Sequence, residues 1–225
     1  MAAAVIAVVA AMGRGFNSSA FWERRYASGG NSGSGSYGVL AAYKAKFLNA
    51  FVSNHRIASV VEFGCGDGNQ LSLARYPAYI GYDVSHTILQ RVRRRFARDS
   101  SKQFFHVGLY SEAASPAAEL ALSLDVIFHL VEDGVFDAYM RRLFSAASRF
   151  VVIYSSNEER ATTRHVRHRR FASWIEEHAT AWQQLAHERN PHGCALRSPS
   201  CGNTGTASFA SFHAYSRRDA GGRAG

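Results

Sequence analysis

The stretch Val60-Val61-Glu62-Phe63-Gly64-Cys65-Gly66-Asp67-Gly68-Asn69 carries the reading of the fold. Its apolar, β-branched beginning reads as a buried strand, its alternating glycines as a sharp turn, and residues 69 to 75 as the helix that the turn opens. Without a Cβ, glycine lets the backbone bend tightly and approach a ligand closely, and the free N–H groups of a helix start favour polar or anionic atoms. The dinucleotide pattern G-x-G-x-x-G is not met, because the third glycine comes one residue early and Asn69 stands in its place. Two carboxylates frame the turn. Glu62 closes the strand, and Asp83 closes the next candidate strand 19 residues beyond Gly64, close to the ~20-residue spacing at which an acid accepts hydrogen bonds from ribose hydroxyls.

Downstream, apolar runs alternate with helical patterns. Candidate strands are Ile57–Phe63, Ala78–Asp83, Phe104–Val107, Leu120–Ile127 and Phe150–Ser155, with candidate helices at 69–75, 86–98 and 134–147. Such alternation predicts a parallel sheet covered on both faces. Upstream, Val39, Leu40, Tyr43, Phe47, Leu48 and Phe51 recur at helical spacing and predict an amphipathic helix over 37–53. Residues 108 to 118 have no helical period. A helix over 158–178 is expected after the fifth strand, with Phe171, Trp174, Ile175 and His178 on one face. Trp182–Ala186 and Phe209–Tyr215 lack a crossover helix between them, so they should pair as an antiparallel edge hairpin. The expected architecture is α/β: a doubly wound, mostly parallel seven-stranded sheet with that hairpin at one edge and helices on both faces. Its parts are an N-terminal segment and Gly/Ser-rich lid (1–36), a main domain (37–187), an irregular insertion (188–207), and a last strand and tail (208–225).

The 225 residues suit one domain, and 47% hydrophobic content is enough to close a core, which excludes a mainly disordered or collagen-like chain. A formal charge of +9 raises nucleic acid or an acidic small molecule as partners. The excess is spread along the chain, however, at +5 for residues 1–157 and +4 for 158–225, with no basic arm. Three cysteines, Cys65, Cys194 and Cys201, are too few for a disulfide framework and point to a reducing, cytoplasmic setting. The apolar run Ala2–Met12 lacks preceding basic residues and is shorter than the ~20 residues of a membrane span, so neither a secretory leader nor a membrane span is expected.

The glycine turn and its two acids resemble the first motif of class I S-adenosylmethionine-dependent methyltransferases, an apolar strand ending in an acid followed by G-x-G-x-G. The likeness runs from Phe16 to Ser155 and over the edge hairpin. Phe21-Trp22-Glu23-Arg24-Arg25-Tyr26 with the Gly29–Gly38 loop, and Leu122-Ser123-Leu124-Asp125-Val126-Ile127-Phe128-His129-Leu130, look like a group of small bacterial members with no assigned substrate. The resemblance implies S-adenosyl-L-methionine as cofactor. Gly64, Cys65, Gly66, Asp67 and Gly68 would pass under its methionine part, Glu62 would meet the ammonium group, Asp83 the ribose and Val84 the adenine. Trp22, Tyr26 and Tyr37 would belong to a lid over cofactor and substrate. The acid or polar residue that such proteins carry after the third strand has no acidic counterpart in Gly108-Leu109-Tyr110-Ser111.

A sulfonium methyl is already electrophilic, so catalysis can come largely from alignment and exclusion of water, with a base for an oxygen or protonated nitrogen acceptor. Asp125 and His129 after the fourth strand are candidate catalytic residues. So are His165 and His168, which lie in a run where Arg167 could grip an acceptor carboxylate or phosphate. The arginines of 91–98 read as solvent-facing. Adenine amino-methylation would need Asn or Asp followed by Pro-Pro and an aromatic where Asp125-Val126-Ile127-Phe128 stands, and cytosine C5 methylation a nucleophilic Cys there. His192, Cys194, Cys201 and His213 have no zinc-site spacing, so no metal is expected. The expectation is methyl transfer to an O or N atom of a small-molecule acceptor. The alternatives are an NAD(P)-dependent oxidoreductase, which the early third glycine disfavours, and a non-catalytic nucleotide- or RNA-binding protein.

Overall fold

The computed structural model describes residues 16–108, 118–192 and 210–218. Seven strands form one sheet in the order β3-β2-β1-β4-β5-β9-β8. They are β1 (Ser59–Phe63), β2 (Ala78–Asp83), β3 (Lys102–His106), β4 (Ala118–Leu124), β5 (Ala147–Ser155), β8 (Trp182–Arg189) and β9 (Ser211–Arg217). The first five pair in parallel, while β9 runs antiparallel to both β5 and β8. The expected sheet and edge pair are therefore present. Strand order reverses between β1 and β4, which opens a crevice at their carboxyl ends, where α/β sheets take ligands.

Five helices cover the described residues: α1 (Ser18–Ala27), α2 (Gly38–Asn54), α3 (His86–Arg95), α4 (Asp133–Ser145) and α5 (Phe171–His178). Successive side chains of a strand point to opposite faces, and β1 uses this directly. Val60 joins Leu48 and Val52 of α2 and Leu89 and Val92 of α3 in one core. Val61 joins Met140 and Leu143 of α4 and Phe171 and Ile175 of α5 in the other. Burying a Val or Leu side chain is worth roughly 1.5–3 kcal/mol, so each face holds its helices firmly. Helix α3 starts at an N-cap, the Ser85 hydroxyl accepting from the Ile88 amide at 3.2 Å, and ends in Arg93, Arg94 and Arg95, which suit the helix dipole.

Two expected helices are corrected. Residues 69–75 hold only a 3-10 turn, Leu71–Leu73, because Pro77 ends the segment and disfavours helix in the residue before it. The glycine turn therefore opens no α-helix. Residues 158–178 begin with an antiparallel hairpin, β6 (Arg160–Thr163) with β7 (Val166–His168), and only Phe171–His178 is helical. Thr162, Thr163 and Val166 are β-branched and favour strand. In α2 the buried face is Leu40, Ala41, Lys44, Ala45, Leu48, Phe51 and Val52, and Val39 is exposed. The fourth strand ends at Leu124, short of the expected Ile127, because Asp125 has φ +59°, in the left-handed region. The region after β3 from Leu109, most of the 188–207 insertion with Cys194 and Cys201, and residues 1–15 lie outside the described residues.

Candidate active site

One cavity sits at the carboxyl ends of β1, β2 and β4, between the sheet and α1. Its floor is the glycine turn, where the Gly64 and Cys65 amides both donate to the Tyr82 carbonyl, at 2.7 and 3.0 Å. Gly64 has φ +86°, and a Cβ there would collide with the Val126 side chain; one on Gly66 would collide with the Ser32 hydroxyl. These glycines thus allow a close approach of two segments to the turn. The buried Cys65 thiol is pushed well up by desolvation and by Asp83, so it fills space beside the turn as an unreactive neutral group.

Glu62 and Asp83 both line this cavity and are both buried. Glu62 accepts a hydrogen bond from the Tyr79 hydroxyl at 2.7 Å. Burial raises its pKa to about 7, against the lowering effects of that bond and of Lys44. Asp83 accepts from the Gly66 amide at 3.0 Å and the Ser85 amide at 2.9 Å. Burial lifts it to about 6 despite these bonds. A cation arriving in the cavity would favour the ionised form of both. Val84 lines the same cavity.

The roof is α1 and the segment after it. Trp22 and Tyr26 line the cavity, and the segment is tied down at both ends. The Glu23 carboxylate accepts from the Ser85 and Thr87 hydroxyls at 2.6 and 2.5 Å, at the start of α3. The Ser18 hydroxyl donates to the His129 carbonyl at 3.0 Å, and the Ser18 amide donates to the Glu132 carboxylate at 2.9 Å. Asp67 clasps the following loop, accepting from the Ser32 amide at 2.9 Å and the Tyr37 hydroxyl at 2.8 Å. Arg91 donates to the Tyr26 and Gly30 carbonyls, and Arg95 to the Asp67 carbonyl. Those two arginines, expected only to face solvent, brace the roof and the turn.

Of the candidate catalytic residues, Asp125 and His129 line the cavity while His165 and His168 do not. His165 stacks on Phe21, with ring centroids 4.7 Å apart. His168 is fully buried, its ring against the Ser156 hydroxyl and 5.9 Å from the Phe128 ring centre. Neither meets the cavity in this arrangement, and Arg167 is held by Asp133 and Glu159. Half-buried His129 is held neutral, its pKa lowered to about 4 by desolvation. Its Nδ1 lies 3.2 Å from the His165 carbonyl oxygen. A carbonyl can only accept, so Nδ1 carries the proton and Nε2 keeps its lone pair.

The cavity also takes residues that the motif reading missed. Lys44 of α2 is fully buried and pairs with Asp125 at 2.5 Å. Arg142 and Tyr139 of α4 line the cavity floor, the Tyr139 hydroxyl donating to Ser123 at 2.7 Å. A lysine at the core spacing of Leu40, Ala41 and Leu48 was the available signal for the first. Among the described residues no cluster of three potential metal ligands occurs, and no helix is long and apolar enough to cross a membrane.

No family profile matches the chain, and no curated protein does. Solved structures do. The N-methyltransferase NodS from Bradyrhizobium japonicum WM9, in complex with S-adenosyl-L-homocysteine, aligns over 90% of this chain and 99% of its own, with 16% identity and a TM-score of 0.66. Magnesium protoporphyrin IX methyltransferase (ChlM) from Synechocystis PCC 6803, with bound SAM, covers 91% and 99% at 14% identity and a TM-score of 0.61. The methyltransferase domain of a bacterial Hen1 covers 78% and 97% at 18% identity and 0.59. The fold of this chain is the Rossmann-like α/β fold of class I methyltransferases.

Proposed function

We propose that the chain is an S-adenosylmethionine-dependent methyltransferase that acts on an O or N atom of a small-molecule acceptor. The observation that carries this reading is the pair of buried carboxylates, Glu62 and Asp83, facing one cavity over a glycine turn. The residues fit the cofactor. Two acids whose ionisation is suppressed by burial suit a ligand that brings an ammonium group and ribose hydroxyls. Glu62 would take the ammonium group, Asp83 the ribose, and Val84 the adenine edge, with Gly64, Cys65, Gly66, Asp67 and Gly68 beneath the methionine part and Trp22 and Tyr26 above. Bound there, the cofactor supplies an electrophilic methyl group.

The chain's own contribution is then orientation, dryness and a proton acceptor. The clasped roof excludes water from the cavity. His129, neutral and with Nε2 unprotonated, offers the lone pair for the acceptor's proton, as a weak base while desolvation keeps its pKa low. His165 would act through its carbonyl, which fixes that tautomer. Asp125, tied to Lys44, suits hydrogen bonding better than proton abstraction.

Titration calorimetry with S-adenosyl-L-homocysteine and with NADH tests the cofactor, and binding of NADH alone would overturn the proposal. Asp83→Ala should weaken S-adenosyl-L-homocysteine by about 1–3 kcal/mol through loss of charged hydrogen bonds; an unchanged affinity would remove Asp83 from the site. Incubating a metabolite extract with methyl-labelled cofactor then identifies the acceptor by the compound that gains label.

A further inference from the structure

The pair Lys44–Asp125 is built unlike the rest of the cavity wall. Lys44 reaches from α2 through the core, its side chain 1% exposed, to place Nζ 2.5 Å from Asp125 Oδ2 and 5.2 Å from the centre of the Tyr154 ring. Asp125 is held from the other side, its amide donating to the Tyr154 carbonyl at 2.9 Å. Its backbone has φ +59°, a strained conformation for a non-glycine residue. One oxygen is thus committed to the lysine. The other, Oδ1, is buried and has no hydrogen-bond partner among the described residues. A buried acceptor left unsatisfied is destabilising, so an arrangement that is strained and incomplete points to a missing ligand atom.

We infer that Lys44 and Asp125 form a charge-balanced anchor that accepts a hydrogen bond, through Asp125 Oδ1, from the methyl-accepting group of the substrate. The inference rests on the methyl-transfer reading and deepens it by naming the acceptor class. An unpaired carboxylate would select a cationic amine. With an ammonium group on its second oxygen, the carboxylate has little net charge to offer and one oxygen free to accept hydrogen bonds. The acceptor class is therefore an uncharged hydroxyl or amine carrying at least one hydrogen. Lys44 is a positioning residue: it fixes the carboxylate, cancels its charge and touches no reacting atom. Glu62 is the other acid facing Lys44, from β1, and the Tyr154 ring of β5 lies under its ammonium group.

Sinefungin, a cofactor analogue with a primary ammonium group where the cofactor carries its methyl, probes the charge at this end of the cavity. S-adenosyl-L-homocysteine lacks that ammonium and serves as the control, so the quantity to measure is the ratio of the two dissociation constants. In Asp125→Asn, Lys44 loses its counter-charge and the ratio should shift at least ~10-fold against sinefungin. In Lys44→Met the carboxylate is unbalanced and the ratio should shift toward sinefungin by a similar factor. Lys44→Arg, which keeps the charge, should restore the wild-type ratio to within about two-fold. A merely structural pair would move both ligands together, so ratios unchanged in Asp125→Asn and Lys44→Met overturn the inference. If Lys44→Met does not fold, Asp125→Asn alone decides. A wild-type chain that binds neither ligand overturns the methyl-transfer reading, and the anchor with it.

Discussion

Glu62 carries two opposed demands. Ligand binding wants its carboxylate ionised, whereas burial in the cavity wall resists ionisation and lifts its pKa from 4.5 to about 7. Between those two values the folded chain holds a proton that the unfolded chain has released, so this group's contribution to stability falls as pH rises from about 4.5 to 7. Asp83 acts in the same direction between 3.8 and about 6. Glu62→Gln removes the buried charge while leaving an oxygen for the Tyr79 hydroxyl. At pH 8 the ligand-free variant should therefore be more stable than wild type by about 1–3 kcal/mol, and the gain should vanish near pH 4. Urea unfolding at the two pH values measures it, and a gain of equal size at both would refute the assigned cause. Both acids were legible from their place at strand ends flanking a glycine turn. Lys44 was not, since only the three-dimensional path of α2 brings it beside Asp125, 81 residues away.

The roof helix α1 is fully buried only at Ser18 and Tyr26; Phe21 and Trp22 pack on the His165 and His129 rings, and polar clasps hold the rest. Glu23 is the strongest of these, with hydrogen bonds to both Ser85 and Thr87. Glu23→Ala should free α1 from α3, speed amide exchange over residues 18–28, and weaken S-adenosyl-L-homocysteine about 3- to 10-fold, while changing global stability by under about 1 kcal/mol. Exchange rates equal to wild type would show that the clasp does not hold the roof. The elements themselves were partly legible. Strands β1 and β5 announced themselves by β-branched runs, β2 by Tyr79, Ile80 and Tyr82, and α4 by helical periodicity. The β6–β7 hairpin hid because its arginines and histidines score well in any exposed element, and only Thr162, Thr163 and Val166 argued for strand. The 3-10 turn after the glycines hid because the pattern of a glycine turn calls for a helix that Pro77 leaves no room to form.

At the scale of the molecule, the formal +9 charge is a net excess spread along the chain, with no basic arm to track a nucleic-acid backbone. Arg141, Arg149, Arg160, Arg167 and Arg169 are each paired with a carboxylate, and Arg91, Arg93 and Arg95 bond to backbone carbonyls. RNA binding should therefore be non-specific, present at low salt and lost by about 200 mM, since such affinity rests on counterion release. Fluorescence anisotropy with a labelled single strand checks this, and binding that persists above that salt would favour the nucleic-acid alternative. The sheet order was legible only in part: alternation predicted parallel strands and a late antiparallel pair. Which of the two late strands lies inward depends on the pairing of β5, which no local pattern encodes.

That pairing matters for a chain emerging from the ribosome. Strand β9, made last, lies between β5 and β8, both made earlier. Until residues 211–217 are released, Phe150–Ser155 keeps an unpaired flank and Trp182–Arg189 has no neighbour to join. Any five-stranded sheet formed before β9 is made would leave the β5 border unpaired and open to wrong partners.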